Sequence, residues 1–368
     1  MDKKDLDTPV VMIDATKLAG NISRMQEKVD RAGIALRPHA KTHKTPEIAA
    51  MQLASGAVGI TVAKLGEAEA MAAAGIRDIL IAYPLVGAQK LERLVRLVKD
   101  KKNVIRVAVD SVEVAAGISA AALQAGEVIE VWLEIDPGYG RVGLQLGEAL
   151  IAAAGSMLNL PGIRLTGVMT FAGQSYDAIT DEELLQTVRK ECAIAVEAAA
   201  ALRVLGCPIE HISVGSTPAS RFVSAMEGVT EIRPGTYVFG DLTQVKAKAL
   251  QLEECALSVL VTVISRPTPE RAVVDAGTKV FTVDGEDSPL GTGRGYVVGH
   301  PEVKVEWFNE EHGVLYLPPD ERKISVGDKL EIVPVHCCAV VNNFDEISMI
   351  RENEFEHNLT VAARGKVR

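Results

Sequence analysis

Apolar positions along the chain follow two textures. From about residue 34 to 245, short β-branched runs alternate with longer alanine-rich stretches whose apolar residues recur at helical spacing. Eight runs read as strands: GIALRPHAK (33–41), AVGITVA (57–63), DILIAY (78–83), VIRVAVD (104–110), VIEVWLEID (128–136), IRLTGVMTFA (163–172), HISVG (211–215) and EIRPGTYVF (231–239). Between several of them lie helical patterns such as KLGEAEAMAAAG and DEELLQTVRKECAIAVEAAAALRVLG. The second stops at Gly206 with Pro208 close behind, as a helix end should. Strands alternating with helices predict a parallel sheet, and eight such units predict an α/β fold of the (β/α)8 barrel type.

After about residue 250 the pattern becomes short strands set between Gly, Pro and Asp, as in ALSVLVTVISRP, RAVVDAG, GVLYLP and KLEIVPVHCCAVV. This predicts a smaller, separate β domain. The opening TPVVMID also reads as a strand and has no place in the barrel count. The expected organisation is therefore a strand within 1–15 that pairs with the β domain, a barrel over 16–248, and a C-terminal β domain over 249–368. No repeat at solenoid spacing and no low-complexity segment interrupts it.

The 368 residues are 48% hydrophobic, ample for a large core, and the net charge of −10 with no Lys/Arg run argues against a nucleic-acid surface. The charged N-terminus lacks the apolar core of a signal peptide, and no apolar stretch is long enough to span a bilayer, so a cytoplasmic protein without a membrane partner is expected. Five cysteines do not suggest a secreted disulfide framework. Cys192, Cys207 and Cys255 sit in apolar contexts and read as packed thiols. Cys337 and Cys338 differ, because they directly follow His336.

Candidate chemistry falls at strand ends, where barrel active sites lie. In LRPHAKTHKT, an extended backbone would place Arg37, His39, Lys41 and His43 on one face with Lys44 close behind, and a solvated strand edge could carry the same charges. Lys41, however, ends the first predicted strand, where a lysine can form a Schiff base with a carbonyl cofactor and where neighbouring cations would lower its pKa. The fifth strand ends in EIDPGYGRVG, from which Arg141 projects. The seventh and eighth lead into Gly215-Ser216-Thr217 and Gly235-Thr236-Tyr237. Either segment alone reads as a tight turn; together, at those two strands, they form a candidate phosphate cup. A lysine at strand one and a phosphate cup at strands seven and eight point to pyridoxal 5′-phosphate.

Seven segments, RPHAKTHK, TVAKLGEAEAM, DPGYGRVG, SVGSTP, EIRPGTYVFGD, VVDAGTK and PVHCCAVVNNFDE, occur in an order that resembles the D-serine dehydratase and D-threonine aldolase group of fold-type III enzymes. The resemblance covers nearly the whole chain and implies an alanine racemase-like barrel that binds pyridoxal phosphate. It makes Lys41 the Schiff-base lysine and Arg141 the arginine that approaches the cofactor's phenolic oxygen. It implies phosphate-cup positions at Ser216, Thr217, Gly235 and Thr236, with Gly215 and Tyr237 in the same motifs. His39 and Tyr176 are further cofactor-binding candidates, and Arg233 corresponds to a residue near the pyridine nitrogen. An arginine there would leave the ring nitrogen unprotonated and the electron sink modest, so the leaving group would need other help.

A metal would supply it. His336 and Cys338, two apart on a predicted strand, share a face, and imidazole plus thiolate is a zinc preference, although two ligands are half a tetrahedral site. By resemblance, dehydratases of the group carry His-x-Cys here and bind zinc, whereas aldolases carry His-x-Asp and prefer harder ions; manganese or magnesium are the alternatives to zinc. Cys337 reads as a packed thiol on the opposite face. One departure stands out. In FAGQSYD, Gln174 occupies the place where relatives usually have a histidine, which weakens a retro-aldol role because an amide is not a base. His211, His300 and His357 read as structural or exposed, His312 as a family segment or an ordinary turn, and Asp275 with Lys279 as either a turn or an active-site approach.

The expected activity is a zinc-assisted pyridoxal phosphate lyase acting on a D-3-hydroxy amino acid, D-serine dehydratase first. The alternatives are aldol cleavage to glycine and an aldehyde, D-threo-3-hydroxyaspartate dehydration, and a non-catalytic pyridoxal phosphate carrier, against which the extra β domain argues. The resemblance also implies a head-to-tail homodimer.

Overall fold

The computed structural model describes residues 1–283 and 288–368. They form two compact units, one of residues 25–41, 46–235 and 366–368, the other of residues 1–24, 42–45 and 236–365. Strand β1 (Val10–Asp14) belongs to the second.

The first unit is a parallel barrel. Its strands are β2 (Ala35–Leu36), β3 (Ile60–Val62), β4 (Asp78–Ile81), β5 (Val104–Val109), β6 (Ile129–Ile135), β7 (Ile163–Thr170), β8 (His211–Val214) and β9 (Glu231–Ile232). They pair in the order β2-β9-β8-β7-β6-β5-β4-β3. The two ends meet: Val58 N–H donates to Leu36 O (2.9 Å), Thr61 N–H donates to Pro38 O (2.8 Å), and His39 bridges Thr61 in parallel. The (β/α)8 expectation is correct. The first and last expected strands are much shorter than their sequence runs, because Pro38 and Pro234 remove ladder donors just beyond β2 and β9.

Inside the barrel, Leu80, Ala108, Trp132 and Met169 pack together. Gly167 makes room for the indole, since a Cβ there would come within 2.8 Å of the Trp132 ring. Arg37 and Arg106 lie 5.6 and 5.8 Å from the indole centroid, and His211 stacks on it at 4.8 Å, so His211 has a structural place. Arg37 is 2% exposed; its Nε donates to Glu231 at 2.9 Å and its Nη1 pairs with Asp78. Among the helices, Asp181–Val204 opens on a Thr180/Glu183 capping box and buries Leu184, Val188, Cys192, Ala195, Ala199 and Leu202. Each large apolar side chain so buried contributes roughly 1.5–3 kcal/mol before entropy is counted.

The second unit holds β1, β10 (Leu257–Thr268), β11 (Arg271–Val274), β12 (Gly295–Val297), β13 (Lys304–Phe308), β14 (Gly313–Tyr316), β15 (Lys329–Pro334), β16 (Glu346–Arg351) and β17 (Glu354–Thr360). Strands β10, β11, β14, β13, β12 and β15 close an antiparallel ring, and the sheet continues from β10 through β1 and β16 to β17. β1 runs antiparallel to β10 and parallel to β16. The texture of the sequence changes near 250, but the chain joins this unit at Thr236: Ala256 N–H donates to Phe239 O, and Leu242 packs with Cys255, Val333 and Val335. All five cysteines are free thiols, and every one except Cys338 is buried. Among the described residues, no helix is long and apolar enough to cross a membrane.

Candidate active site

In the barrel unit, Lys41 follows β2 at the C-terminal side of the sheet, within the short 3-10 turn Ala40–Thr42. Its side chain is exposed, and its N–H donates to His39 Nδ1 at 3.4 Å. The single-face stripe expected of Arg37, His39, Lys41 and His43 is not formed. Arg37 and His43 are buried, His39 is half-buried and Lys41 is exposed. Proline at 38 and the turn at 40 break the period-two alternation on which that expectation rested.

The loop after β6 is organised by Asp136, whose Oδ1 accepts from the N–H groups of Gly138, Tyr139 and Gly140 at 2.9, 2.8 and 3.1 Å. This holds the loop that carries Arg141. The Arg141 guanidinium lies 3.5 Å from Glu134 Oε1 and 4.6 Å from the Phe171 ring centroid. Burial raises the Glu134 carboxyl above its usual range, against the pull of Arg141 and Arg233. Its Oε2 is buried and has no hydrogen-bond partner among the described residues.

The ends of β7 and β8 are tied by one carboxylate. Glu191 Oε1 accepts from Thr170 Oγ1 (3.0 Å), Ala172 N–H (3.0 Å) and Gly215 N–H (3.2 Å). Gly215 has φ +90°, a backbone that L side chains avoid, and it starts the Gly215-Ser216-Thr217 segment. Ser216 Oγ is 2.8 Å from Ser175 Oγ, which joins this segment to the 3-10 turn Gly173–Tyr176. In that turn Tyr176 is half-buried, and Gln174 Oε1 is buried with no hydrogen-bond partner among the described residues. Beside β9, Arg233 is buried; Nη1 donates to Ser213 Oγ at 2.5 Å and Nη2 to the Thr170 carbonyl. Gly235 is the last residue of the 46–235 stretch of this unit.

In the second unit, His336 and Cys338 converge, but not on a strand. β15 stops at Pro334, His336 is the N-cap residue, and Cys337–Val341 is a helix. The reason is Asp241: its Oδ1 caps the helix Leu242–Lys246 through Gln244 N–H, and its Oδ2 accepts from Cys337 N–H, both at 3.0 Å. Asp241 is pushed up to about 6 by burial, against the pull of His336 and the Cys337 amide. The Cys338 sulfur is held well below the usual thiol range, first by the Cys337 thiol, which donates toward it, then by His336 and Thr42, with burial opposing. Cys337 itself is pushed up by its own burial and by Cys338. Thr236 Oγ1 lies 4.0 Å from the same sulfur, Tyr237 is buried beside it in sequence, and Lys44 Nζ donates to Asn342 Oδ1 at 2.7 Å. In the same unit, Asp275 accepts from Thr8 Oγ1 and Thr262 N–H, and Lys279 pairs with Glu310 and Glu311, so both are engaged structurally.

Residues 13–243 match the family model described as alanine racemase, N-terminal domain, and residues 256–350 match the putative serine dehydratase domain. The chain belongs to the D-serine dehydratase and D-threonine aldolase group of fold-type III enzymes. It is 39% identical over 356 residues to D-threo-3-hydroxyaspartate dehydratase of Delftia sp. (strain HT23), covering 92% of this chain and 93% of that one. It is 35% identical over 362 residues to D-threonine aldolase of Arthrobacter sp., covering 98% and 93%. A solved D-threo-3-hydroxyaspartate dehydratase, a cysteine-to-alanine mutant in the metal-free form, superposes with TM-score 0.89 at 35% identity over 98% of each chain. These relatives are lyases of a family that uses pyridoxal phosphate.

Four residues of the site went unremarked in the sequence: Glu134, Glu191, Asp241 and Thr42. Asp241 and Thr42 lie within family-like segments, in EIRPGTYVFGD and RPHAKTHK, and Glu134 lies two residues before DPGYGRVG. Glu191 lies in a helix with no motif, and only folding brings it to Gly215.

Proposed function

We propose that this chain is a pyridoxal phosphate- and divalent metal-dependent dehydratase of D-3-hydroxy amino acids, with D-threo-3-hydroxyaspartate as the first candidate substrate and D-serine as the second. The observation that carries the reading is the His336 and Cys338 pair, an imidazole next to an acidified thiol, combined with an amide rather than a base at Gln174. The 39% identity to the Delftia dehydratase supports hydroxyaspartate as the substrate.

The residues present fit both groups. Lys41 is accessible at a strand end; Gly215, Ser216 and Thr217 form a left-handed loop start with hydroxyl donors; Thr236 and Tyr237, which follow Gly235 in the chain, carry further hydroxyls; Arg141 and Arg233 supply positive charge. Glu134 Oε2 and Gln174 Oε1, buried and without a hydrogen-bond partner among the described residues, are acceptors open for a donor. Pyridoxal phosphate, when bound, supplies an electron sink for the pair left at Cα, and a divalent ion held by His336 and Cys338 supplies a Lewis acid for the β-oxygen.

The chain's own groups do the rest. Lys41 is the amine that takes the α-proton as general base. Glu134 orients Arg141, and Glu191 holds the β7 and β8 loops in register. Gln174 can accept or donate a hydrogen bond to the substrate but cannot remove the β-hydroxyl proton, so Cα–Cβ cleavage is unassisted and loss of the β-oxygen is the favoured exit. A homodimer is part of the same proposal.

The test is direct. The purified protein is incubated separately with D-threo-3-hydroxyaspartate, D-serine and D-threonine, and keto acid plus ammonia is separated from glycine plus aldehyde. Oxaloacetate and ammonia from hydroxyaspartate, or pyruvate and ammonia from D-serine, are expected. Glycine as the dominant product would move the chain to the aldolases.

A further inference from the structure

A second cluster of metal-ligating groups lies in the β-rich unit among residues that the lyase reading does not use. His300 and Glu302 sit on the turn between β12 and β13, which is held by His300 N–H donating to Val297 O and Val303 N–H donating to His300 O, both at 3.0 Å. Glu321 comes from the connection between β14 and β15. The ligand atoms of the three side chains all lie within 4.8 Å of one another.

Glu321 is pre-positioned. Its side chain is only 7% exposed, and Oε1 accepts from the N–H groups of Lys323 (2.5 Å) and Ile324 (3.1 Å). Its own carbonyl accepts from Arg266 Nη2 at 2.7 Å. With Oε1 committed to two amides, Oε2 is left facing His300 Nδ1 at 3.6 Å, while Glu302 Oε1 approaches the same nitrogen at 3.8 Å.

The separations suit ligands that share one ion. A hydrogen bond from an imidazolium to a carboxylate would draw the atoms to about 2.7–3.2 Å, and both contacts are longer. Two donors that each bind one ion at about 2.0–2.2 Å with a tetrahedral angle stand roughly 3.3–3.6 Å apart, which is the spacing of the Glu321 and His300 atoms. A neutral imidazole with two carboxylates balances the charge of a dication, and the half-exposed Glu302 leaves room for water to complete the coordination shell.

We propose that His300, Glu302 and Glu321 bind a divalent cation of the zinc class, separate from any ion at His336 and Cys338. The ion fastens the β12–β13 turn to the segment carrying Glu321 and stabilises the β-rich unit.

The probe is zinc itself, added to the full-length holoprotein stripped by chelator and then dialysed, with metal counted per chain. The parent should retain two equivalents. The double variant His336→Ala, Cys338→Ala should retain one, and adding His300→Gln to it should leave none. His300→Gln alone should lose one equivalent, keep substrate turnover, and show a smaller rise in melting temperature on zinc addition than the parent. Because the count in the double variant reads this site alone, its result is independent of whether the lyase reading holds. A double variant that retains no zinc would overturn the proposal, as would a His300→Gln chain, folded by circular dichroism, that holds as much zinc and gains as much stability from it as the parent. Glu302→Gln, on the exposed ligand, provides a second variant in which the fold is least disturbed, and it should weaken zinc binding in the double-variant background at least tenfold.

Discussion

The Cys338 sulfur lies 3.5 Å from the Thr42 hydroxyl, across a sequence separation of 296 residues. Thr42 is fully buried, so this hydroxyl is a fixed neighbour rather than a passing solvent contact. A hydroxyl that donates to a thiolate stabilises the charged form that metals bind, and loss of such supporting partners commonly costs 10–100-fold in metal affinity. Thr42→Val, nearly isosteric, should therefore weaken metal binding by about tenfold while leaving the far-ultraviolet spectrum unchanged. Chelator competition measures it, and an unaltered affinity would reduce Thr42 to a packing residue.

Removal of the sulfur should separate chemistry from cofactor binding. Cys338→Ala is expected to abolish keto-acid formation yet leave the pyridoxal phosphate absorbance in place, because the barrel residues proposed to hold the cofactor are untouched. Cys338→Asp replaces a soft ligand with a hard one and should move the metal preference from zinc toward manganese or magnesium. Retention of full elimination activity in a metal-free Cys338→Ala preparation would remove the metal from the mechanism.

Lys41 should carry the cofactor. Borohydride reduction followed by peptide mapping is expected to place the pyridoxyl group on Lys41, and Lys41→Ala should lose the visible absorbance altogether. A label found on Lys44 would reassign the site. That result would be surprising structurally, since Lys44 is buried and its Nζ is engaged by Asn342.

Glu191 ties the Gly215 loop to the end of β7. Glu191→Ala leaves the Ala172 and Gly215 N–H groups without an acceptor, at a cost of about 1–3 kcal/mol for each buried donor, and should lower both stability and cofactor affinity. Glu191→Gln keeps an accepting oxygen and should preserve much of the affinity. The two also differ with pH. Burial raises the carboxyl in the folded state, against the Gly215 and Ala172 amides and Arg233. The stability it contributes is thus fully present below the unfolded value of about 4.3 and is lost as pH rises through the raised folded value. Glu191→Gln should flatten that decline in thermal melts taken from acid to neutral pH, whereas an unchanged slope would mean that Glu191 does not titrate in this window.

The barrel was legible because short β-branched runs alternate with stretches of helical spacing through eight units, and the strand ends locate Lys41 and the Gly215 loop directly. Sequence period misled where a single long-range contact decides local structure. Pro38 turns an apparent charged strand into a turn, so Arg37 goes inward to Glu231 while Lys41 goes outward. Asp241, nearly a hundred residues away, gives the Cys337 amide an acceptor and starts a helix where the apolar run VPVHCCAVV reads as a strand. His336 and Cys338 still meet, because the N-cap and second residue of a helix can converge as well as alternate residues of a strand. Glu191 was invisible for the same reason: helix periodicity marks it as one more polar position, and only the third dimension shows three donors converging on it.

Gln174 offers the sharpest test of reaction choice. Its amide oxygen is buried with no hydrogen-bond partner among the described residues, in the turn that also carries Ser175 and Tyr176, and an amide cannot take a proton. Gln174→His supplies an imidazole of similar reach whose ordinary pKa lies near neutrality, which is the property a base for a β-hydroxyl requires. If elimination is favoured here partly because no base stands beside that hydroxyl, the variant should gain glycine and aldehyde formation from D-threonine by at least tenfold over the parent. Keto-acid formation should fall or stay level. The gain should follow a titration, rising with pH through the histidine's own range, and Gln174→Asn, which shortens the side chain without adding a base, should not reproduce it. Equal product ratios in parent and Gln174→His, measured with cofactor and metal both saturating, would show that residue 174 does not choose between the two bonds.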